Sequence, residues 1–97
     1  MLNLSFDTGR IIEICRENDV DRLSVFGSVA REEATQESDV DLLVHFAKPK
    51  SLLTIIGLEE QIESIIGRPV DLLTEAALSP YIRENILQDL VVIYEAA

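Results

Sequence analysis

The sequence contains a single cysteine among its 97 residues, so no disulfide can form within the chain. This residue, Cys15, stands beside Ile11, Ile12 and Ile14, where a small apolar side chain fits the buried face of a helix. Long apolar runs are also missing, and the N-terminus has no basic flank followed by a hydrophobic stretch. We therefore expect a cytoplasmic protein without a membrane-spanning helix, in which Cys15 belongs to the core.

Basic residues are scarce: the chain has 8 Lys and Arg against 18 Asp and Glu, which gives a formal net charge of -10. A chain this acidic repels a phosphate backbone at long range, so we do not expect nucleic acid to be its main partner. The acidity is compatible with two interpretations. It maintains solubility, or it complements a basic protein partner, and charge alone does not decide between them.

Apolar residues make up 47% of the sequence, which is sufficient for one core in a chain of this length. No internal repeat, low-complexity tract or long linker interrupts the pattern. We therefore expect residues 1–97 to form a single domain.

Two segments carry apolar residues at helical spacing. The first extends from Asp7 to Asn18. The second contains Ile55, Leu58, Ile62 and Ile65. Gly67 is suited to cap this second helix, and Pro69 prevents its continuation. Another helix is predicted to start where Ser79, a favourable N-cap, precedes Pro80.

Short apolar runs predict strands at Leu23–Phe26, Asp39–Phe46, Val70–Leu73 and Leu90–Tyr94. Strands that alternate with helices favour an α/β (α+β) fold, in which helices pack on a small mixed sheet of about four strands. The order of the strands and their relative directions stay open at this point.

A glycine-serine pair follows the first predicted strand. Gly27 lets the backbone turn tightly and approach a ligand, and Ser28 offers a hydroxyl where a helix can begin. Unpaired amides at such a turn suit a phosphate group. The competing interpretation is an ordinary strand-to-helix turn with Ser28 as its N-cap.

Two aspartates begin the second predicted strand. Asp39 and Asp41 leave the same face of the strand with their Cα atoms roughly 6.5 Å apart, so their carboxylates repel each other. A divalent cation removes this conflict, because Mg²⁺ joins one or two protein carboxylates to the phosphates of a substrate. The alternative is that both side chains simply reach solvent at a strand end.

Two further residues are candidates for the same site. If the strand containing Asp71 lies beside the one that begins at Asp39, three carboxylates converge, and Asp71 serves as a metal ligand or as the base for an acceptor. Arg31 follows Ser28 by one helical turn, where its guanidinium can reach a triphosphate. The alternatives are a solvent-facing aspartate, and an arginine that balances a neighbouring glutamate.

The stretch GSVAREEATQESDVDLLV resembles the glycine-serine and double-aspartate signature of the DNA polymerase beta superfamily, specifically its minimal nucleotidyltransferases of the MNT type. The resemblance extends over nearly the whole chain, through Asp71 to the last predicted strand. It implies the nucleotidyltransferase fold, with Gly27 and Ser28 binding nucleotide phosphates. It also implies that Asp39 and Asp41 hold Mg²⁺ and that Asp71 is the third acid.

Many minimal nucleotidyltransferases are paired with a HEPN-domain toxin, a ribonuclease, and act as its antitoxin. The resemblance implies that this chain transfers AMP from ATP to a tyrosine of such a partner, or alternatively that it neutralises the toxin by binding alone. One position departs from the family pattern: Glu32 stands where glycine is common, and it places a negative side chain near the expected triphosphate.

Overall fold

A computed structural model describes residues 7–31 and 39–96. The elements in chain order are α1 (Thr8–Glu17), β1 (Val20–Phe26), α2 (Gly27–Ala30), β2 (Val40–Phe46), α3 (Leu52–Ile66), β3 (Val70–Thr74), a 3-10 turn (Glu75–Ala77), α4 (Pro80–Asp89) and β4 (Val91–Glu95). None of the helices in these two ranges is long and apolar enough to cross a membrane.

The strands form one four-stranded sheet in the order β3-β2-β1-β4. β1 is antiparallel to both of its neighbours, whereas β2 and β3 are parallel. The parallel pair is possible because α3 carries the chain back between the two strands. The predicted α/β (α+β) fold with a mixed sheet of about four strands is confirmed.

The two faces of the sheet are covered unequally. On one face, α1 and α3 pack against the sheet in the larger core, which includes the fully buried side chains Ile11, Cys15, Val40, Leu42, Leu58 and Ile62. On the other face, Phe26 and Leu43 pack with Leu78 in a smaller cluster that also contacts Ile86 of α4. Because side chains alternate along a strand, Asp41 lies on the face that carries Leu43.

The predicted helix ends agree with the structure. The side chain of Asp7 caps α1 by accepting a hydrogen bond from the Arg10 backbone N–H at 3.1 Å. At the other end of the long helix, Gly67 adopts a φ of 75° and terminates α3, as its position predicted. α4 begins with Ser79 as N-cap and Pro80 as its first residue.

β1 begins at Val20, three positions before the predicted start. The extension carries charged side chains that find partners on neighbouring strands. Asp21 lies 3.1 Å from the His45 ring nitrogen on β2, and Arg22 lies 4.0 Å from Glu95 on β4. Such cross-strand pairs support an extended segment whose own sequence lacks an apolar run.

Candidate active site

The turn between β1 and α2 brings the backbone of Gly27 against the side chain of Asp41. Gly27 has a φ of 72°, in the left-handed region that favours glycine. A β-carbon at this position would overlap the Oδ2 atom of Asp41 and would lie 3.3 Å from its Cγ. Glycine is therefore favoured here for two reasons, the backbone conformation and the space that the carboxylate occupies.

Ser28 lies inside the first turn of α2 and is not its N-cap. The N-cap is Phe26, whose side chain makes no capping hydrogen bond. The interpretation of Ser28 as a capping residue is therefore wrong. The physical reason is the left-handed turn at Gly27, which directs the chain into the helix one residue earlier.

Asp41 and Asp71 are direct neighbours in the parallel pair of strands β2 and β3. Adjacent strands are about 4.8 Å apart, and side chains at the same register lie on the same face. Asp41 is partly buried, while Asp71 is exposed. Asp39 immediately precedes β2 and is exposed as well. The structure thus places the three predicted acids at the same end of two adjacent strands.

The Asp41 carboxyl is influenced by the charges of its neighbours. Burial raises the pKa of the Asp41 carboxyl, and the negative charges of Asp71 and then Asp39 raise it further. The positive charge of Arg31 opposes this effect and lowers the pKa. The charge of Arg31 therefore acts on the Asp41 carboxyl, together with those of the two other acids.

Arg31 makes a contact that the sequence did not predict. Its Nη1 atom donates a hydrogen bond to Oδ2 of Asp89, the last residue of α4, at 2.8 Å. The two residues are 58 positions apart, so no local pattern indicates the pair. Glu32, which is predicted to place a negative charge near the triphosphate, lies outside the described residues.

The arrangement of the acids bears on whether they can hold a divalent cation. Within residues 7–31 and 39–96, no three Asp, Glu, His or Cys side chains lie close enough to enclose a metal ion. Mg²⁺ does not need such an enclosure, because it typically takes one or two carboxylates together with substrate phosphates and water. Asp41 and Asp71, with Asp39 within electrostatic range, therefore form a donor set that fits Mg²⁺ bound together with a nucleotide.

The structure thus holds a glycine-serine turn against neighbouring aspartates on a mixed sheet. The sequence pattern of the nucleotidyltransferase domain matches residues 9–93. The chain belongs to the nucleotidyltransferase domain family.

Two similar proteins place the chain among the small members of this family. The protein adenylyltransferase MntA of Thermococcus cleftensis is 43% identical over 72 residues, which cover 74% of this chain and 73% of MntA. The solved structure of a candidate minimal nucleotidyltransferase is 37% identical, with a TM-score of 0.76 and coverage of 87% of this chain and 86% of the other. The resemblance to minimal nucleotidyltransferases is thereby confirmed.

A third match comes from a complex of a tri-AMPylated HEPN toxin of Shewanella oneidensis with an MNT antitoxin. It has a TM-score of 0.69 and 19% identity, and the match covers 92% of this chain and 70% of the matched chain. At this level of identity the match shows a common fold.

Proposed function

We propose that this chain transfers AMP from ATP, in the presence of Mg²⁺, to a tyrosine hydroxyl of a HEPN-domain toxin, and that it is the antitoxin of that toxin. The observation that carries the proposal is the contact of the Gly27 turn with Asp41, because it joins a phosphate-binding element to the acids of β2 and β3. The adenylyltransferase name of the Thermococcus cleftensis relative supports AMP as the transferred group. The Shewanella oneidensis complex supports a HEPN protein as the partner.

Each site residue has a role in this proposal. The backbone at Gly27 and the hydroxyl of Ser28 hold the phosphates of ATP, and the Arg31 guanidinium binds the triphosphate. Asp39, Asp41 and Asp71 hold Mg²⁺, with Asp71 either a ligand or the base for the acceptor. The metal, when bound, neutralises charge on the phosphates and on the departing pyrophosphate.

The acceptor oxygen attacks the α-phosphorus of ATP, a new O–P bond forms, and the bond between the α-phosphorus and the pyrophosphate oxygen breaks. The site acts mainly by holding these groups in line and by balancing their charge. If Asp71 is the base, its exposed carboxylate accepts the proton of the acceptor hydroxyl. Its exposure is compatible with an acceptor that belongs to another protein.

A partner surface is supported by large apolar side chains that the described fold leaves exposed. Leu52 and Leu53 at the start of α3 are 71% and 80% exposed, and Tyr81 on α4 is 92% exposed. Leu52 and Leu53 are adjacent in sequence, and neighbouring exposed apolar groups can form the kind of patch that marks a protein interaction site. The same observation favours the second candidate function, in which the chain neutralises a HEPN ribonuclease by binding alone.

Toxin neutralisation in cells separates the two functions. We expect the variant Asp39→Asn/Asp41→Asn to lose protection against the HEPN partner, because it loses two negative charges that would hold the metal. Glu13→Gln/Glu17→Gln removes the same charge from the exposed side of α1 and should protect fully. The enzymatic function is refuted if both double variants protect as well as the wild type at matched protein level.

A further inference from the structure

Two glutamates of α3 bind the backbone of β3 on both sides of Asp71. Glu63 Oε1 accepts a hydrogen bond from the Val70 N–H at 2.9 Å, and Glu59 Oε2 accepts one from the Leu72 N–H at 3.0 Å. These two N–H groups therefore point away from β2, and the residue between them is Asp71. The backbone segment that carries the third acid is thus held by carboxylates on its outer side.

The two glutamates are placed where their charges repel each other. Glu59 and Glu63 are four residues apart on α3, where two like charges repel. Both side chains are only partly exposed. Hydrogen bonds from backbone N–H groups to ionised carboxylates are stronger than neutral ones and offset this repulsion. The backbone N–H groups of β3 therefore stabilise the two neighbouring carboxylates.

The position of β3 in the sheet explains why this support matters. β3 lies at the edge of the described sheet and has β2 as its only neighbouring strand there. Val70 and Leu72 anchor β3 in the larger core, while Asp71 between them is exposed. Without the two glutamates, the outer N–H groups of this edge segment would have to bind water.

We propose that Glu59 and Glu63 are positioning residues, which fix the backbone on both sides of Asp71 and so set its carboxylate beside Asp41. This inference rests on the proposed function, because it assigns the two glutamates to the metal and acceptor side of the site. Groups that orient a metal-binding residue from behind typically change metal affinity or activity by roughly 10–100-fold when they are removed.

A structural alternative is that the two carboxylates only cover an exposed strand edge and so prevent association with another strand. The two accounts differ in their consequences for a folded protein. If the carboxylates only cover the edge, a folded monomeric variant without them should keep its activity. If they position Asp71, activity should fall in those variants that lose the hydrogen bonds to Val70 and Leu72.

The test compares three variants with the wild type. Glu59→Ala/Glu63→Ala removes both acceptors, Glu59→Gln/Glu63→Gln retains an acceptor oxygen on each side chain, and Glu60→Ala removes an exposed charge from the same helix. Folding is checked by thermal denaturation. Amide hydrogen exchange of Val70 and Leu72 then reports whether the hydrogen bonds are lost.

We expect exchange at Val70 and Leu72 to be at least about tenfold faster in the double alanine variant, in line with the loss of a hydrogen bond to a charged group. We expect kcat for AMP transfer to fall roughly 10–100-fold, and the Mg²⁺ concentration for half-maximal activity to rise. The KM for ATP should change less than kcat. The glutamine variant should recover most of the activity, and Glu60→Ala should match the wild type.

Two results would overturn the inference. One is a folded double alanine variant that has lost the amide protection and still transfers AMP at the wild-type rate. The other is a glutamine variant that keeps the amide protection of Val70 and Leu72 and is still as impaired as the alanine variant, which would assign the effect to charge and not to the hydrogen bonds.

Failure of the proposed function is recognised separately, since then the wild type itself transfers no AMP. In that case Mg²⁺ and ATP are titrated while the Asp71 amide signal is followed by nuclear magnetic resonance. The inference is supported if the Mg²⁺ concentration that half-saturates the shift of the Asp71 signal is roughly tenfold higher in the alanine variant than in the wild type. An equal response, or none at Asp71 in the wild type, overturns it.

Discussion

Replacing Gly27 by alanine tests the contact that joins the phosphate-binding turn to the acids. The left-handed backbone at this position, with a φ of 72°, costs an alanine about 1–2 kcal/mol. The new β-carbon also takes the place of Asp41 Oδ2. Because this oxygen is the end of a side chain, rotation of the carboxylate relieves the overlap at little further cost in stability. We therefore expect a moderate loss of stability and a large loss of activity.

The magnitude of the activity loss follows from the displacement of the carboxylate. A shift of about 1 Å in a positioned catalytic group can reduce the rate roughly 100-fold. We expect this loss in kcat/KM for AMP transfer by Gly27→Ala, measured beside chemical denaturation of the same sample. Asp41 Cγ, at 3.3 Å from the added carbon, must also give way slightly, so the position of the whole carboxylate changes.

Gly67→Ala is the matched control. Gly67 has a φ of 75°, and a β-carbon there meets no atom within 4 Å. It should lose about the same 1–2 kcal/mol of stability and keep its activity. The reasoning is refuted if Gly27→Ala retains wild-type activity, or if the two variants lose activity equally.

Three further predictions concern stability and reactivity. Gly57 lies within α3 with open space around its Cα, so Gly57→Ala should raise the free energy of unfolding by about 0.5–1 kcal/mol in chemical denaturation. Burial and the charges of Asp71 and Asp39 raise the pKa of Asp41, so the folded state binds the carboxyl proton more tightly than the unfolded chain does. The free energy of unfolding therefore falls as the pH rises from the pKa of this carboxyl in the unfolded chain to its higher pKa in the folded protein. Asp41→Asn should therefore stabilise the metal-free protein at neutral pH, and the gain should disappear in acid; a constant gain at all pH values would contradict this. Burial raises the pKa of the Cys15 thiol to about 11, so a thiol reagent at neutral pH should modify this residue only after denaturation, as followed by mass spectrometry.

The helices and their ends were predictable because their signals are local. Asp7, Gly67 and the Ser79-Pro80 pair act on the backbone within one turn, so the residue type alone indicates where a helix begins or ends. The face of Asp41 was predictable for a similar reason, since side chains alternate along a strand and its neighbours Val40 and Leu42 are buried. The predicted strand start at Asp39 was wrong, because β2 begins at Val40.

The remaining features depend on contacts between distant segments. The sequence left open the parallel pairing of β2 with β3, which makes Asp71 the neighbour of Asp41. The ion pair of Arg31 with Asp89 arises only because the end of α4 meets α2. The start of β1 was missed because charged residues there are stabilised by partners on other strands. No pattern within a single segment contains this information.

Label transfer from ATP tests the central claim most directly. The proteins that co-purify with this chain are incubated with Mg²⁺ and ATP labelled at the α-phosphate, for the wild type and for Asp39→Asn/Asp41→Asn. ATP labelled at the γ-phosphate is the control. We predict that a partner acquires the α-label only with the wild type and never acquires the γ-label. A partner that co-purifies with the wild type and remains unlabelled would contradict AMP transfer and would leave binding as the means of neutralisation.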